Sequence, residues 1–297
     1  MLPQSPECGY NAGIGGRLGS GSGGCATWEL RMQRRVVVVG GGVMGCAVAW
    51  RLAQTGCDVT VLEKAVPGAE ASSAAAGILG AQVEAEQPGP LLDLCLASRQ
   101  LWPSFAEELK TQTGIDIGYR SCGALSLSSS EAGLHELGKR AEWMSRLGLR
   151  ADVLPPARCR SLEPSLGAVD YGGLHCPDDH QVEPPLLSRA VAAAAHSAGV
   201  RFLARQEVTG IEIADGRAKG VRTRQSTFEA DDVVVAAGAW TSLLPGLRAT
   251  RARIAPQHGQ LVMLDTRPPI LRTTLISDRA YIVPRVDGRV VLGATAD

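Results

Sequence analysis

The sequence predicts an α/β protein in which a parallel-stranded domain carries an inserted α+β domain with an antiparallel sheet. A β-branched run at 36–39 leads directly into a glycine cluster and a helical pattern, as a parallel strand buried on both faces would. A second buried strand at 232–236 enters a turn in the same way, and from residue 253 onward the pattern is β. The 297 residues, 45% of them hydrophobic, suffice for about two domains.

The first strand is followed by Gly40, Gly42 and Gly45 at G-x-G-x-x-G spacing. The first glycine allows a tight turn, the second lets a pyrophosphate approach the backbone, and the third lets the helix that runs to Gln54 pack closely. The free N–H groups at the helix start would face the phosphates. Glu63 ends the second strand, where a ribose diol would donate to it, so we predict an FAD or NAD site rather than a purely structural turn.

Composition limits the partners and the compartment. Thirty basic and thirty acidic residues cancel, which leaves no electrostatic footprint for nucleic acid or an anionic membrane. Residues 1–33 are rich in Gly and Ser and lack the apolar core of a secretory signal, so we predict disorder, with Met32 as an alternative start. The eight cysteines form no C-x-x-C pair, which favours a reduced cytoplasmic compartment.

Residues 65–80 follow the second strand and consist mainly of small residues, with two hydroxyls and several glycines. Such a backbone can pass close to a flat, bulky group, although a loop with a poor helix is the alternative interpretation.

Residues 88–170 form the first part of the inserted domain in this prediction. A helical stripe across 91–109 contains Pro103, which we expect to kink or interrupt the helix. A loosely alternating strand is predicted at 117–127 and a helix at 131–147, whose Trp143 and Met144 are core residues. Pro155 and Pro156 predict a loop.

Residues 171–250 return to the parallel domain. Pro184 opens a helix that ends at Gly199. Further segments are predicted as strands at 201–204, 207–213 and 219–223, a hairpin turn at 215–216, and a tight strand-to-helix turn at Gly238. Strands at 260–264, 281–285 and 289–293 complete an antiparallel roof.

The segment 72–80, after an acid-terminated strand, resembles the flavin-binding segment of the FAD-dependent D-amino acid oxidase superfamily. The similarity continues at 178–184, 233–240, 281–285 and 293–295, and it is greatest to the glycine oxidases of bacterial thiamine biosynthesis. It implies a Rossmann-type FAD-binding domain, at 34–87 and 171–250, and a substrate domain at 88–170 and 251–297. The motif and the resemblance together assign the cofactor FAD to Gly40, Gly42, Val43, Met44, Gly45, Glu63, Lys64, Ser72, Ser73, Ala76, Gly77, Ile78, Val208 and Gly238.

The resemblance also implies a reaction. An oxidase of this kind takes the α-hydrogen of a small amino acid as a hydride and so oxidises its primary or secondary amine to an imine. Molecular oxygen is then reduced to hydrogen peroxide. Tyr281 matches the family's substrate-facing tyrosine, with a strand tyrosine at a domain edge as the alternative. His175, Cys176 and His180 lie close in sequence but lack the usual ligand spacing, so no metal site is expected. The sequence leaves open whether the chain forms a homo-oligomer.

Family members continue beyond the counterpart of Thr295 into a segment that carries the carboxylate-binding arginine and a last flavin contact. We therefore expect no glycine-dependent peroxide production from these 297 residues alone. The exception would be a chain in which another cation binds the substrate carboxylate, and Arg285 is the nearest candidate in sequence. Two alternatives stay open: a non-catalytic remnant that binds dinucleotide weakly or not at all, and an FAD-dependent dehydrogenase that passes electrons to a carrier.

Overall fold

A four-stranded parallel sheet carries the glycine-rich turn in this computed structural model, which describes residues 33–245, 247 and 254–295. The predicted disorder of 1–33 falls almost wholly outside the described residues. The helices are α1 (Val43–Gln54), α2 (Ala71–Ala74), α3 (Pro90–Thr113), α4 (Glu131–Arg146), α5 (Pro156–Leu162) and α6 (Pro184–Ser197), and a 3₁₀ helix spans Gly238–Leu243.

The strands comprise short and long segments in four sheets. They are β1 (Arg35–Val39), β2 (Asp58–Glu63), β3 (Ile78–Leu79), β4 (Ala124–Leu127), β5 (Asp152–Leu154), β6 (Gly173–Cys176), β7 (His180–Gln181), β8 (Arg201–Ala204), β9 (Val208–Ala214), β10 (Arg217–Thr223), β11 (Thr227–Glu229), β12 (Asp232–Val235), β13 (Leu261–Asp265), β14 (Thr274–Ile276), β15 (Tyr281–Pro284) and β16 (Arg289–Gly293).

The parallel sheet has the order β12-β1-β2-β8, with β1 in its interior. Val36 and Val38 face one hydrophobic cluster, which includes Trp50 of α1 and the buried side of α6. Val37 and Val39 face the cluster on the other side of the sheet. The strand is therefore buried on both faces, as its β-branched run predicts.

A seven-stranded sheet joins the two separated parts of the predicted substrate domain. Its order is β13-β16-β15-β14-β4-β6-β5, and its pairs are antiparallel apart from β14 with β4. The predicted boundary at residue 171 assigned β6 to the other domain, but β6 pairs with β4 and β5 in this sheet. The α/β fold with a Rossmann-like parallel core and antiparallel sheets is confirmed, while the division into two domains stays a prediction.

Three local predictions need correction. Helix α3 continues through Pro103 instead of being interrupted there. Within 117–127 only the last four residues form a strand. The loop predicted at Pro155 is followed at once by α5, because Pro156 occupies the first helical turn, where its missing N–H costs nothing.

The hairpin predicted at 215–216 is present between β9 and β10. Asp215 and Gly216 both have positive φ, 52° and 73°, as a type I′ turn requires. Among the residues that the structure describes, no helix combines the length and the apolar character needed to cross a membrane.

Candidate active site

The turn after β1 shows why glycine is needed at two of its three motif positions. Gly40 has a φ of 104°, and a Cβ there would lie 2.4 Å from the Ala236 carbonyl oxygen. A Cβ on Gly45 would lie 2.0 Å from the Gly40 carbonyl oxygen, so only glycine lets α1 approach β1 this closely. Gly42 is different, because a Cβ there would contact only the Ser72 hydroxyl, at 3.0 Å. The fold itself therefore needs Gly42 least.

The N-terminus of α1 lies directly at this turn. Gly42 is the N-cap residue and supplies no side-chain cap, and the first turn contains no acidic residue. The Ser72 hydroxyl accepts the Val43 N–H at 3.0 Å. Beyond this bond the helix start has no side-chain cap of its own, and the N–H donors and the positive end of the helix dipole favour an anionic group such as a pyrophosphate.

The Glu63 side chain lies against the glycine-rich turn. Its side chain is buried, with 8% of the residue exposed, and its two carboxylate oxygens accept the N–H groups of Gly41 and Ala65, each at 2.8 Å. A carboxylate has about four acceptor positions, so two of them stay available to hydroxyl donors. The chemistry therefore fits a ribose diol beside a glycine-rich turn.

Lys64, Val208 and Gly238 extend the surroundings of the turn. The Lys64 ammonium lies 3.2 Å from the centroid of the Trp240 ring and 3.3 Å from a carboxylate oxygen of Glu70. Val208 is buried in the cluster on the second face of the parallel sheet. Gly238 has a φ of 52° at the start of the 3₁₀ helix, and a Cβ there would meet nothing within 4 Å.

Segment 72–78 is held against the helices by short polar contacts. The Ser73 hydroxyl donates to the Gly68 carbonyl, and the Ser188 hydroxyl of α6 donates to the Ser72 carbonyl at 3.1 Å. Gly77 has a φ of 83°, and a Cβ there would lie 2.1 Å from the Val182 carbonyl oxygen. Glycine at position 77 is thus needed by the fold itself.

Tyr281 and Ile78 pack against one small cluster formed by Ala76, Val283 and Val291. The Tyr281 side chain fits because residue 293 is glycine: a Cβ at that position would lie 2.8 Å from the phenol oxygen. No hydrogen bond is made by this hydroxyl to any residue that the structure describes. It is therefore available to a ligand.

The raised pKa of Tyr281 also favours a role as hydrogen-bond donor. Burial, followed by the nearby Glu84 carboxylate, raises the pKa of the Tyr281 phenol. The phenol thus stays protonated at neutral pH and can donate a hydrogen bond to an anionic group.

Several predicted cofactor residues lie at the same turn, and their cofactor role stays a prediction. Gly40 meets the end of β12, Gly41 meets Glu63, and Gly42 meets Ser72. Met44 is exposed, at 69%, and lies on the first turn of α1 without any contact that ties it to the other candidates.

Arg285 behaves differently from its expected role as a substitute cation. It is buried, and its two terminal nitrogens donate to the carbonyl oxygens of Val182 and Ala76, at 2.8 and 2.7 Å. The guanidinium is therefore a crosslink between β15 and the flavin-binding segment. Sequence reasoning could not find this role, because the two acceptors lie 103 and 209 residues away.

In the described ranges, no three His, Cys, Asp or Glu side chains are grouped so that they could hold a metal ion. The Tyr119 hydroxyl and His180 Nδ1 are hydrogen-bonded at 2.7 Å. Burial lowers the pKa of His175 and raises that of Cys176 to about 12. These groups are packed as neutral core and near-core side chains.

Comparisons with known proteins agree with this geometry. The family model "FAD dependent oxidoreductase" matches residues 35–297. Glycine oxidase of Geobacillus kaustophilus is 38% identical over 263 residues, which cover 88% of this chain and 70% of that protein. Its crystal structure superposes with a TM-score of 0.83 at 36% identity, covering 89% of this chain and 72% of the other.

A second kind of relative is longer. The bifunctional protein ThiO/ThiG of Synechocystis sp. is 36% identical over 270 residues, which cover 88% of this chain but only 38% of that protein. The family model spans nearly all of the described residues, including the glycine-rich turn, Glu63 and Tyr281. This chain belongs to the family of FAD-dependent oxidoreductases.

Proposed function

We propose that this chain is an amino acid oxidase of the glycine oxidase type, which oxidises the primary or secondary amine of a small amino acid to an imine. The observation that carries the proposal is the unpartnered, protonated hydroxyl of Tyr281, on the same cluster as Ile78 of the flavin-binding segment. The name of the Geobacillus relative, glycine oxidase, supports the substrate class.

The residues around the turn suit FAD. The α1 N-terminus and Gly42 would hold the pyrophosphate, Glu63 the ribose, and segment 72–78 the isoalloxazine ring. Bound FAD would supply the hydride acceptor and the site of oxygen reduction.

The substrate side depends on this chain's own side chains. The Tyr281 hydroxyl would donate to the substrate carboxylate and orient the amino acid. The apolar wall of Ile78 and Val283 would exclude water, which strengthens that hydrogen bond. Cytoplasmic location, molecular oxygen as the oxidant and a role in thiamine biosynthesis belong to the same proposal. Cys46, Cys57, Cys95, Cys122, Cys159 and Cys176 are free thiols, which is typical of a reducing compartment.

The test is anaerobic mixing of the FAD-loaded protein with glycine or sarcosine, followed by air. The assay is run on the 297-residue chain and on the same chain extended by the part of the Geobacillus relative that it does not cover. Bleaching of the flavin by amine and peroxide after air support the oxidase. Bleaching without peroxide indicates the dehydrogenase alternative. An FAD-loaded, extended protein that no small amine reduces would refute the proposal.

Tyr281→Phe removes only the hydroxyl, and it is introduced into whichever of the two proteins oxidises the amine. Loss of a hydrogen bond to a charged group costs about 1.5–3 kcal/mol, so KM for the amino acid should rise about tenfold or more. The value of kcat should fall less, because the bond is present in the ground state as well.

A further inference from the structure

The turn at residues 80–84 lies between the flavin-binding segment and α3, and it is clamped by buried charges. The Asp179 carboxylate accepts the N–H groups of Gln82 and Val83, and it also pairs with Arg99 at 3.1 Å. Arg140 donates to the Val83 carbonyl at 2.5 Å. Asp179 and Gln82 are both fully buried, at 0% exposure. Such a network fixes a turn in one conformation.

Glu84 is the charged residue that this network leaves unused. Its side chain is exposed, unlike the three preceding residues, and it forms no ion pair with any described residue. Partial desolvation, with the Asp179 carboxylate nearby, raises the pKa of the Glu84 carboxyl. Arg99 and Arg140 are the cations bonded to the turn. Arg99 pairs with Asp179 and Arg140 donates to the Val83 carbonyl, so their bonds are made to groups other than Glu84. A carboxylate in these surroundings is favoured by any cation that enters beside it.

Geometry places the Glu84 side chain beside the flavin-binding segment. A Cβ built on Gly80 would lie 3.2 Å from both Glu84 Cγ and Ile78 Cγ2, so the two side chains face one point. Ile78 packs on the same cluster as Tyr281. The Glu84 carboxylate also acts electrostatically on the Tyr281 phenol. A hydrogen-bond donor for a carboxylate and an unpaired carboxylate thus lie at neighbouring positions.

We propose that Glu84 binds the substrate's ammonium group while Tyr281 binds its carboxylate, so that together they select a small zwitterion. The proposal rests on the proposed function. An amino acid of this size presents one cationic and one anionic group about two bonds apart, and the two protein groups have the complementary character. A ligand that lacks the ammonium gains nothing from Glu84, and a ligand with a second carboxylate is repelled by it.

The experiment compares glycine with glycolate, which has a hydroxyl in place of the ammonium. Binding is measured anaerobically on the FAD-loaded protein, by flavin reduction for glycine and by the shift of the flavin spectrum for glycolate. Glu84→Gln removes the charge and keeps the shape. Glu86→Gln makes the same change at an exposed glutamate two residues away and serves as the control.

Glu84→Gln should weaken glycine binding about tenfold relative to glycolate, whereas Glu86→Gln should leave that ratio unchanged. An unchanged glycine-to-glycolate ratio in an FAD-replete Glu84→Gln protein would overturn the inference and leave the proposed function standing. If the extended protein with Glu84 unchanged holds FAD but is not reduced by glycine or sarcosine, the proposed function falls, and this inference falls with it.

Discussion

Glu63 combines two tasks in one buried carboxylate. It accepts the N–H groups of Gly41 and Ala65, and thereby shapes the turn that would receive the pyrophosphate. Its position at the end of β2 could be predicted from the sequence, because strand, turn and acid are local features. Its bond to Ala65 could not, because that bond depends on how the chain bends after β2.

Glu63→Gln should weaken FAD binding and also lower the stability of the FAD-free protein. The amide has one acceptor oxygen, so one of the two backbone N–H groups loses its partner. We expect about 1–3 kcal/mol in each measurement. FAD titration and urea unfolding without FAD separate the two effects. Glu86→Gln, at an exposed glutamate, is the control and should change stability by less than about 0.5 kcal/mol. Wild-type FAD affinity in Glu63→Gln would rule out the ribose contact.

The sequence alone singled out neither Glu84 nor the crosslinking role of Arg285, and the physical reason is the same for both. Their roles arise from partners distant in the chain: Asp179 fixes the turn that carries Glu84, and Arg285 bonds to Ala76. Glu84 lies in no motif, and the 281–285 motif that contains Arg285 does not indicate which carbonyl groups its side chain would contact. Tyr281 was found only through the resemblance, because a tyrosine in a strand has no local signature of function.

At the scale of elements, β15 is tied to the flavin-binding segment by one side chain. Arg285 follows this strand and donates to the carbonyl oxygens of Ala76 and Val182. Its burial lowers the pKa of the guanidinium, although arginine stays charged at any ordinary pH. The position of Tyr281 relative to Ile78 therefore depends on this crosslink.

Arg285→Met should destabilise the protein, because it leaves two buried carbonyl oxygens without donors. We expect a loss of about 1–3 kcal/mol, since the relief from burying a cation offsets part of the cost. Arg285→Lys keeps the charge but cannot reach two divergent acceptors with a planar fork, so it should recover only part of the stability. Thermal unfolding of the three proteins measures this. Equal melting temperatures would show that the crosslink contributes nothing.

Element-scale predictions succeeded where one segment carried the whole signal. The β1 run, the α6 helix and the 215–216 hairpin were all predicted close to their observed bounds. The parallel pairing of β14 with β4 was not predicted, because it joins residues about 150 positions apart. Helix α3 persists through Pro103 because tertiary packing of a 24-residue helix outweighs the loss of one backbone hydrogen bond.

At the scale of the whole molecule, two partly buried histidines make stability depend on pH. Burial is the largest cause that lowers the pKa of His175 and of His180 below the ordinary value of 6.5. In the window between the lowered pKa and 6.5, the unfolded chain binds protons that the native protein does not bind. Stability therefore rises with pH through this window and is lost as pH falls through it.

We expect the free energy of unfolding to fall between about pH 7 and pH 5, by at most about 1.4 kcal/mol per pH unit for each histidine. His175→Gln should reduce this slope. His196→Gln, an exposed helical histidine, serves as the substitution control. Urea unfolding at several pH values gives the slopes. A slope in His175→Gln as steep as that of the wild type would contradict the assignment.

We expect the turn at 40–45 to hold the FAD pyrophosphate, and substitution of Gly42 can separate this role from a role in folding. Its φ of −70° suits any residue, and a Cβ would meet only a rotatable hydroxyl. Gly42→Ala should therefore leave the stability of the FAD-free protein nearly unchanged. A pyrophosphate that approaches the same backbone would meet the added methyl group.

The measurement is FAD affinity by fluorescence titration of the wild type, Gly42→Ala and Gly45→Ala. Gly45→Ala should destabilise the FAD-free fold, since its methyl would collide with the Gly40 carbonyl oxygen. Gly42→Ala should keep the wild-type melting temperature without FAD, yet bind FAD about tenfold or more weakly, a loss of about 1.4 kcal/mol. Equal FAD affinity in Gly42→Ala and the wild type would contradict the claim.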